Sequence, residues 1–551
     1  MKLLNKYICG LGFGALMLTA TSCVEETEPT KFANQSQVNA SSAATEALTY
    51  AMPMYFNNVD EDLLDTYNWH AAFGYGSMAI IRDMQTCDRS IGPNYNVHFL
   101  WAAADKSMDY DNIRMKYIWS YYYGFVLTAN KVLQAIDIKN CDDNQKGYYG
   151  TALAFRAMLY LDLARTYEFL PNDAINGKND KGNDVTNLTV PIVSETTSED
   201  DARNNPRATR EEMFKFILSD LDKAEEYIKF SPFNGDQTFP HLDCVYGLKA
   251  RLYMWVEDYA NAAKYARLAI DEAANNGVDL MTKEECLNTK TGFNDISKWM
   301  WGTQMTSEDR AVTTGIVNWT SWMTNEQSFG YAGVGATCMI DAKLYSKISD
   351  TDFRKLEFVG PNGPVAGQKF CSTSAYKDQG ISDFSALVAP YASIKFRPNE
   401  GEADDYKTAC ATAIPVMRVE EMYLIEAEAT AHTDAAKGKE LLTAFMKTRD
   451  PQYSFAGTST QEVVDECFLQ KRIELFGEGQ IFFDYKRLNK PVDRTYENNN
   501  WPTTAQLKTT TRPAWMNWPI SINEVNNNAA VRDYNNPSCT DAYLSLIHIS
   551  E

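Results

Sequence analysis

The sequence predicts a predominantly all-α protein: a scaffold of tetratricopeptide-like helical repeats interrupted by a large irregular, loop-rich insertion. Three observations carry that prediction. Apolar residues recur at spacings of three and four in several long segments. One of those segments places small and aromatic residues at the packing positions of a tetratricopeptide repeat. Between about 276 and 414 the periodicity gives way to frequent Gly, Thr, Asn, Ser and Asp.

Taken in order, residues 1–22 read as an export signal. Lys2 and Lys6 precede an apolar stretch from Tyr7 to Leu18, and small residues lead to Cys23. The stretch is too short to span a bilayer. Ala20, Thr21 and Ser22 meet the size limit of the peptidase that cuts before a lipidated cysteine, so Cys23 is the expected lipidation site; Ala20 stands where a leucine is usual. The competing reading is an ordinary secretory signal with an unrelated cysteine. Residues 23–45 are polar and suit a lipidated tether.

The helical region spans 46–275. In 116–136, Ile118, Tyr122, Val126, Ala129, Leu133 and Ile136 form one apolar stripe; in 150–171, Phe155, Leu159 and Leu163 repeat every four residues and Pro171 marks the stop. The two make an antiparallel hairpin. The segment 204–228 opens with Thr209 ahead of Glu212, a capping box. In 248–271, Ala250, Tyr253, Tyr259, Ala262 and Ala269 take the tetratricopeptide positions, with Ala250 and Ala266 replacing the usual glycine and phenylalanine. Such repeats bury their faces only by stacking.

Residues 276–414 are expected to be an irregular insertion that carries ligand-binding loops, with tryptophans in KWMWGTQ and NWTSWMTNEQSFGYAG. Helix is predicted again over 414–432, 435–449 and 460–480, within a second helical region, 415–540. The segment WMNWPISINEVNNN reads as extended. The tail 541–551 is apolar and reads as a non-native addition, against the alternative of a native strand.

The 551 residues carry a formal net charge of -21, and removal of Lys2 and Lys6 with the signal takes it to -23. That balance argues against nucleic acid and against charge-driven docking to an anionic bilayer, and fits a body held beside a membrane by acyl chains. Nine cysteines beyond Cys9 and Cys23 form no C-x-x-C pair, which favours isolated thiols over a zinc site or a disulfide framework. No catalytic motif emerges. Five histidines are scattered, Ser77 in GYGSMA lacks the spacing of a nucleophile elbow, and GFGALM and GVGATC have no phosphate-loop context. Neither an enzyme nor a cofactor or metal site is predicted.

Arg418 with Glu421, and Arg472 with Glu474 and Glu478, are expected to form a structural charge network that ties repeats together. Aromatic side chains are the better binding signal, because a sugar presents flat arrays of C–H groups to a ring face. Trp101, Trp319, Trp322 and Tyr331 lie among Gly, Asn and Thr and are the predicted ligand-binding residues. The alternative is that each ring fills the core.

Several segments together resemble the SusD/RagB family of outer-membrane nutrient-uptake lipoproteins. They are TANKVL, GTALAFRAMLYLDLARTY, the repeat around Tyr253, and IPVMRVEEMYLIEAEA with Pro415, Arg418, Glu421, Ala427, Glu428 and Ala429. The most specific is QKRIELFGEGQIFFDYKRL, through Arg472, Glu474, Leu475, Glu478, Gly479, Asp484 and Arg487. Ile481 departs from the arginine common at its position, and PISINEVNNN matches the family's closing segment. The resemblance implies a SusD-like all-helical fold and an outer-membrane lipoprotein facing the exterior. Its implied role in polysaccharide utilisation is to bind an oligosaccharide and to act as the lid of a SusC-like TonB-dependent transporter. Glu25 and Glu26 resemble a surface-export tag. A peptide-binding member of the family and a surface-anchored glycoside hydrolase are the alternatives.

Overall fold

Local capping decides where several helices begin. In the computed structural model, which describes residues 42–67, 70–91, 108–334, 336–371 and 389–539, α1 (Ser42–Tyr55), α2 (Glu61–Tyr67) and α3 (Tyr75–Met84) precede two long helices, α4 (Ile113–Ala135) and α5 (Asp143–Tyr167). Cys23 and the tail 541–551 lie outside the described residues. The second long helix starts seven residues before the apolar repeat does, because Asp142 and Gln145 form a capping box that satisfies its first free amides. It ends at Tyr167, ahead of Pro171, where its last carbonyls find cationic donors: Lys486 Nζ reaches the oxygens of Arg165 (2.9 Å) and Thr166 (2.8 Å), and Arg207 Nη2 that of Tyr167 (3.1 Å). Almost every residue of α5 from Gly150 on is buried, so it is a central helix, wrapped by α1, α4 and α6 (Arg210–Tyr227). Thr209 and Glu212 form the expected capping box on α6.

The tetratricopeptide-like run is a hairpin of α7 (Leu242–Trp255) and α8 (Tyr259–Asn275), split at Glu257, whose φ of 63° breaks the helix. Ala250, Ala262, Ala266 and Ala269 are fully buried, and their small size lets the two helices approach; Tyr253 and Tyr265 stack alongside at 5.5 Å. The chain then leaves the stack and returns as α10 (Val419–Thr433), which packs directly on α8, with His432 stacked on Tyr259 at 3.5 Å. The stack is therefore interrupted in sequence and continuous in space. Next, α11 (Ala435–Met446) folds back on α10 so closely that a Cβ at Gly438 would lie 2.6 Å from Ala431 Cα. The remaining helices are α12 (Thr460–Glu474), α13 (Ile481–Arg487) and α14 (Ile522–Asn527). No described helix is long and apolar enough to cross a membrane.

Between α8 and α10 lie single-turn helices, including α9 (Trp319–Met323), and three of the four strands of two small antiparallel sheets, the fourth coming from the segment after α3. In one, β1 (Arg89–Ile91) pairs with β3 (Cys338–Ile340); in the other, β2 (Trp301–Gln304) pairs with β4 (Ala413–Met417). The second sheet corrects the expectation of helix from residue 414. Ile414 and Val416 suit a buried strand, Pro415 cannot donate a helical bond, and helix begins only after Arg418. Residues 514–527 are likewise not extended. They form a 3-10 turn and α14, while Trp515 and Trp518 are buried and donate their indole N–H groups to Gln85 O (3.0 Å) and Gln85 Oε1 (2.9 Å). The nine described cysteines are free thiols, seven of them buried and Cys87 and Cys141 partly exposed.

The predicted charge network exists with different partners. Arg418 reaches Glu478 (2.9 and 2.8 Å), Glu474 (3.2 Å) and Glu420 (2.9 Å), while Glu421 pairs with Arg251 (2.8 and 2.5 Å). Arg472 turns away from Glu474 and Glu478 to Asp88 on the α3 side (2.8 Å). Helical spacing constrains which side chains share a face, but α7 and β1 supply nearer partners. Arg354 and Arg449 complete the shell around Glu474. Burial raises the Glu474 carboxyl, but Arg449, Arg418 and Arg354 outweigh it and hold the group well below the usual carboxylate range. Two glycines make this geometry. Gly477 (φ +85°) and Gly479 (φ +71°) bracket Glu478 in left-handed turns, and a Cβ on either would meet Phe396 at 2.3 Å or Ala79 Cα at 2.4 Å. Helix α12 therefore stops at Glu474, short of the expected 480.

Candidate functional site

Of the four predicted ligand-binding aromatics, Trp101 lies outside the described residues. Trp319 opens α9, whose N-terminus is capped by Asn318 accepting from Ser321 N (2.8 Å). Its indole is fully buried, edge-on to Phe396 at 5.3 Å, and packs where Gly76 leaves room. Trp319 is thus a core residue, which corrects the expectation of an exposed stacking face. Trp322 is also buried, 2% exposed, which corrects the same expectation for its ring, but it belongs to a different group of rings. It meets Tyr331 edge-on at 4.8 Å and Phe73 at 6.0 Å, and Tyr331 OH lies 3.0 Å from His70 Nδ1. The fold therefore brings together two of the predicted residues, Trp322 and Tyr331, with Tyr331 only 7% exposed.

The polar neighbours that made this segment look like an exposed loop have internal work. Asn325 Nδ2 donates to the carbonyls of Cys338 and Ser393 (2.8 Å each), its Oδ1 accepts from Cys338 N (3.1 Å), and Gln327 Nε2 donates to Thr320 O (3.2 Å). Asn318, Thr320, Ser321, Asn325 and Gln327 are all buried. The Asn318, Asn325 and Gln327 amides satisfy backbone groups that irregular chain leaves without helical partners. Beneath them, Glu326 forms a buried ion pair with Arg397 (2.8 Å).

The accessible part of the site begins where this support ends. Ser328 is exposed and Phe329 and Gly330 are half-buried. Phe329 packs edge-on against the half-buried Tyr406 at 6.3 Å. Ser328 holds the two segments together, its N–H and hydroxyl donating to Ala403 O (2.8 and 3.1 Å) and its hydroxyl to Asp404 Oδ1 (2.7 Å). Asp404 and Asp405 are exposed beside Tyr406. On the other side, burial lowers the His70 imidazole, which keeps it neutral and able to share a proton with Tyr331. The arrangement offers partly exposed rings flanked by a hydroxyl, an imidazole and carboxylates. It can stack against a flat apolar face and accept hydrogen bonds from hydroxyl groups.

Sequence reasoning missed His70, Phe329, Asp404 and Tyr406. Phe329 lay within the quoted tryptophan-rich segment but was outweighed by the larger rings. His70 and Tyr406 are 261 and 77 residues from their ring partners and carried no local signal. Among the described residues, no group of three His, Cys, Asp or Glu side chains is placed to hold a metal ion.

Comparison with known proteins agrees with this architecture. A family model described as "Starch-binding associating with outer membrane" matches residues 29–254, and the SusD family model matches residues 378–538. SusD-like protein P38 of Formosa agariphila is 22% identical over 402 residues, covering 68% of this chain and 72% of that protein. A SusD-like carbohydrate binding protein from Bacteroides vulgatus shares the fold with a TM-score of 0.67 at 19% identity, over 90% of this chain and 98% of that one. A SusD superfamily protein from Bacteroides thetaiotaomicron does so with a TM-score of 0.64 at 19% identity, over 90% and 99%. With family models matching on both sides of the insertion and one fold running through both, the chain belongs to the SusD/RagB family.

Proposed function

We propose that this protein is a surface lipoprotein of the outer membrane that captures an oligosaccharide and hands it to a SusC-like TonB-dependent transporter, which it caps as a lid. The observation that carries the reading is the ridge of half-buried rings, Phe329 and Tyr406, set beside Tyr331, His70, Ser328 and Asp404. Family membership supports outer-membrane association and nutrient binding. The chemistry is binding without bond cleavage. The helical regions 46–275 and 415–540 serve as scaffold, and 276–414 presents the ligand. Lipidation at Cys23, with a lead-in to about residue 45, anchors the body while leaving it free to hinge.

Affinity electrophoresis against a panel of polysaccharides tests the ligand. Retention by at least one glycan, weakened in Tyr406→Ala and Tyr331→Ala, is expected; migration unchanged by every glycan would move the assignment to peptides. The purified protein should release no reducing sugar. Cys23→Ala should leave the membrane fraction, and persistence there would place the anchor elsewhere.

A further inference from the structure

A small cavity lies where α5, α7, α10, α12 and α13 meet, and none of the ring-cluster residues lines it. Its volume of about 40 Å³ holds roughly three water-sized bodies and excludes any sugar. The wall is unusually cationic. Arg165, Arg210, Arg251, Lys471, Lys486 and Arg487 face three carboxylates, Glu168, Glu421 and Asp484.

Carboxylates behind the wall do not close the difference. Asp162 pairs with Arg165 but is shared with Arg82, and Glu428 is shared by Lys471 and Arg487. Among the described residues Lys486 has no carboxylate within ion-pairing distance, and its Nζ is held by the two carbonyls at the end of α5. Burial depresses its ammonium well below the usual lysine range and lowers the Arg165 guanidinium too, whereas carboxylate partners raise Arg251 and Arg487. Among the described residues, three polar atoms of the wall make no hydrogen bond in good geometry, Arg251 Nη1, Arg487 Nη1 and Gln480 Oε1, although the Arg487 guanidinium lies close enough to the Tyr259 hydroxyl to act on it. The side chains of Arg251 and Arg487 are only 2% and 7% exposed, so bulk water does not serve them. Buried guanidinium donors left without acceptors are costly.

We infer that this cavity binds a small inorganic anion of the halide class, held by Arg251, Arg487 and Lys486, with water completing the Gln480 amide. The anion supplies the missing acceptor and the missing negative charge together. It also fastens α13, which follows the Gly477–Gly479 turn, to α5 and α7 in the first helical region.

Crystals of the full-length protein soaked in sodium bromide should show an anomalous peak in the cavity. The thermal midpoint should rise across roughly a hundredfold range of chloride when gluconate keeps ionic strength fixed, as for a ligand that binds only the folded chain. Lys486→Met should flatten that rise. Water alone in the cavity, or a midpoint indifferent to chloride in the unaltered protein, overturns the inference. If Lys486→Met does not fold, the bromide site in the unaltered protein decides.

Discussion

The charges around Glu474 and the rings around Trp322 are buried to a similar depth, but different forces hold them. Around Glu474, three guanidinium groups converge on one carboxylate while Lys395 and Arg418 share Glu478, so every member depends on its partners' identity and direction. Around Trp322, the rings meet edge-on without charge, and the polar side chains nearby serve the backbone. In the first region a short stretch of signature sequence, clamped by two left-handed glycines, supplies the carboxylates, and their cations come from residues 354–449. The second is assembled from segments more than 200 residues apart, a construction that tolerates variation in loops while preserving the scaffold.

Four perturbations separate buried charge from buried rings, in decreasing size. Arg418→Met strands Glu474 and Glu478 and should cost about 3–5 kcal/mol in urea unfolding; a loss below about 1 kcal/mol would refute the network. Because the depressed Glu474 group stabilises the fold above its unfolded pKa and ceases to do so as pH falls through its folded value, the gap from the parent should narrow in acid. Trp319→Ala should cost a similar 3–5 kcal/mol, through a cavity rather than a stranded charge, and its cost should not vary with pH.

Gly479→Ala, forced into a left-handed turn against Ala79, should cost about 2 kcal/mol or more by thermal unfolding. Asp83 joins the two kinds of region. It is buried with neither carboxyl oxygen hydrogen-bonded in good geometry, and burial, reinforced by Asp88, pushes it up to about 8. A raised carboxyl binds a proton in the folded state that the unfolded chain has released, so stability should fall as pH rises from about 4 to 8. Asp83→Asn should remove that slope and add on the order of 2 kcal/mol at pH 8, where an unchanged slope would show that Asp83 is not its source.

The helices and their starts were legible because capping and periodicity are local. Thr209 with Glu212 marks α6, and the alanines of α7 and α8 show where backbones approach. The β4 strand was hidden inside an apolar run that continues into α10, since periodicity alone cannot separate a short buried strand from the first turn of a helix. The ring site was half legible. Trp322 and Tyr331 stood out by composition, but the same composition made them and Trp319 look exposed, because buried asparagine that caps backbone reads like a loop residue.

The sequence by itself determined the helical class, the hairpin repeats and membership of the family, since each rests on residues close together in the chain. Only the tertiary structure decided that Arg418 takes Glu474 and Glu478, that Arg472 takes Asp88, and that His70 meets Tyr331. Those choices depend on which side chains the packed helices bring within hydrogen-bond reach, and α10 returning onto α8 across the whole insertion is what sets those distances.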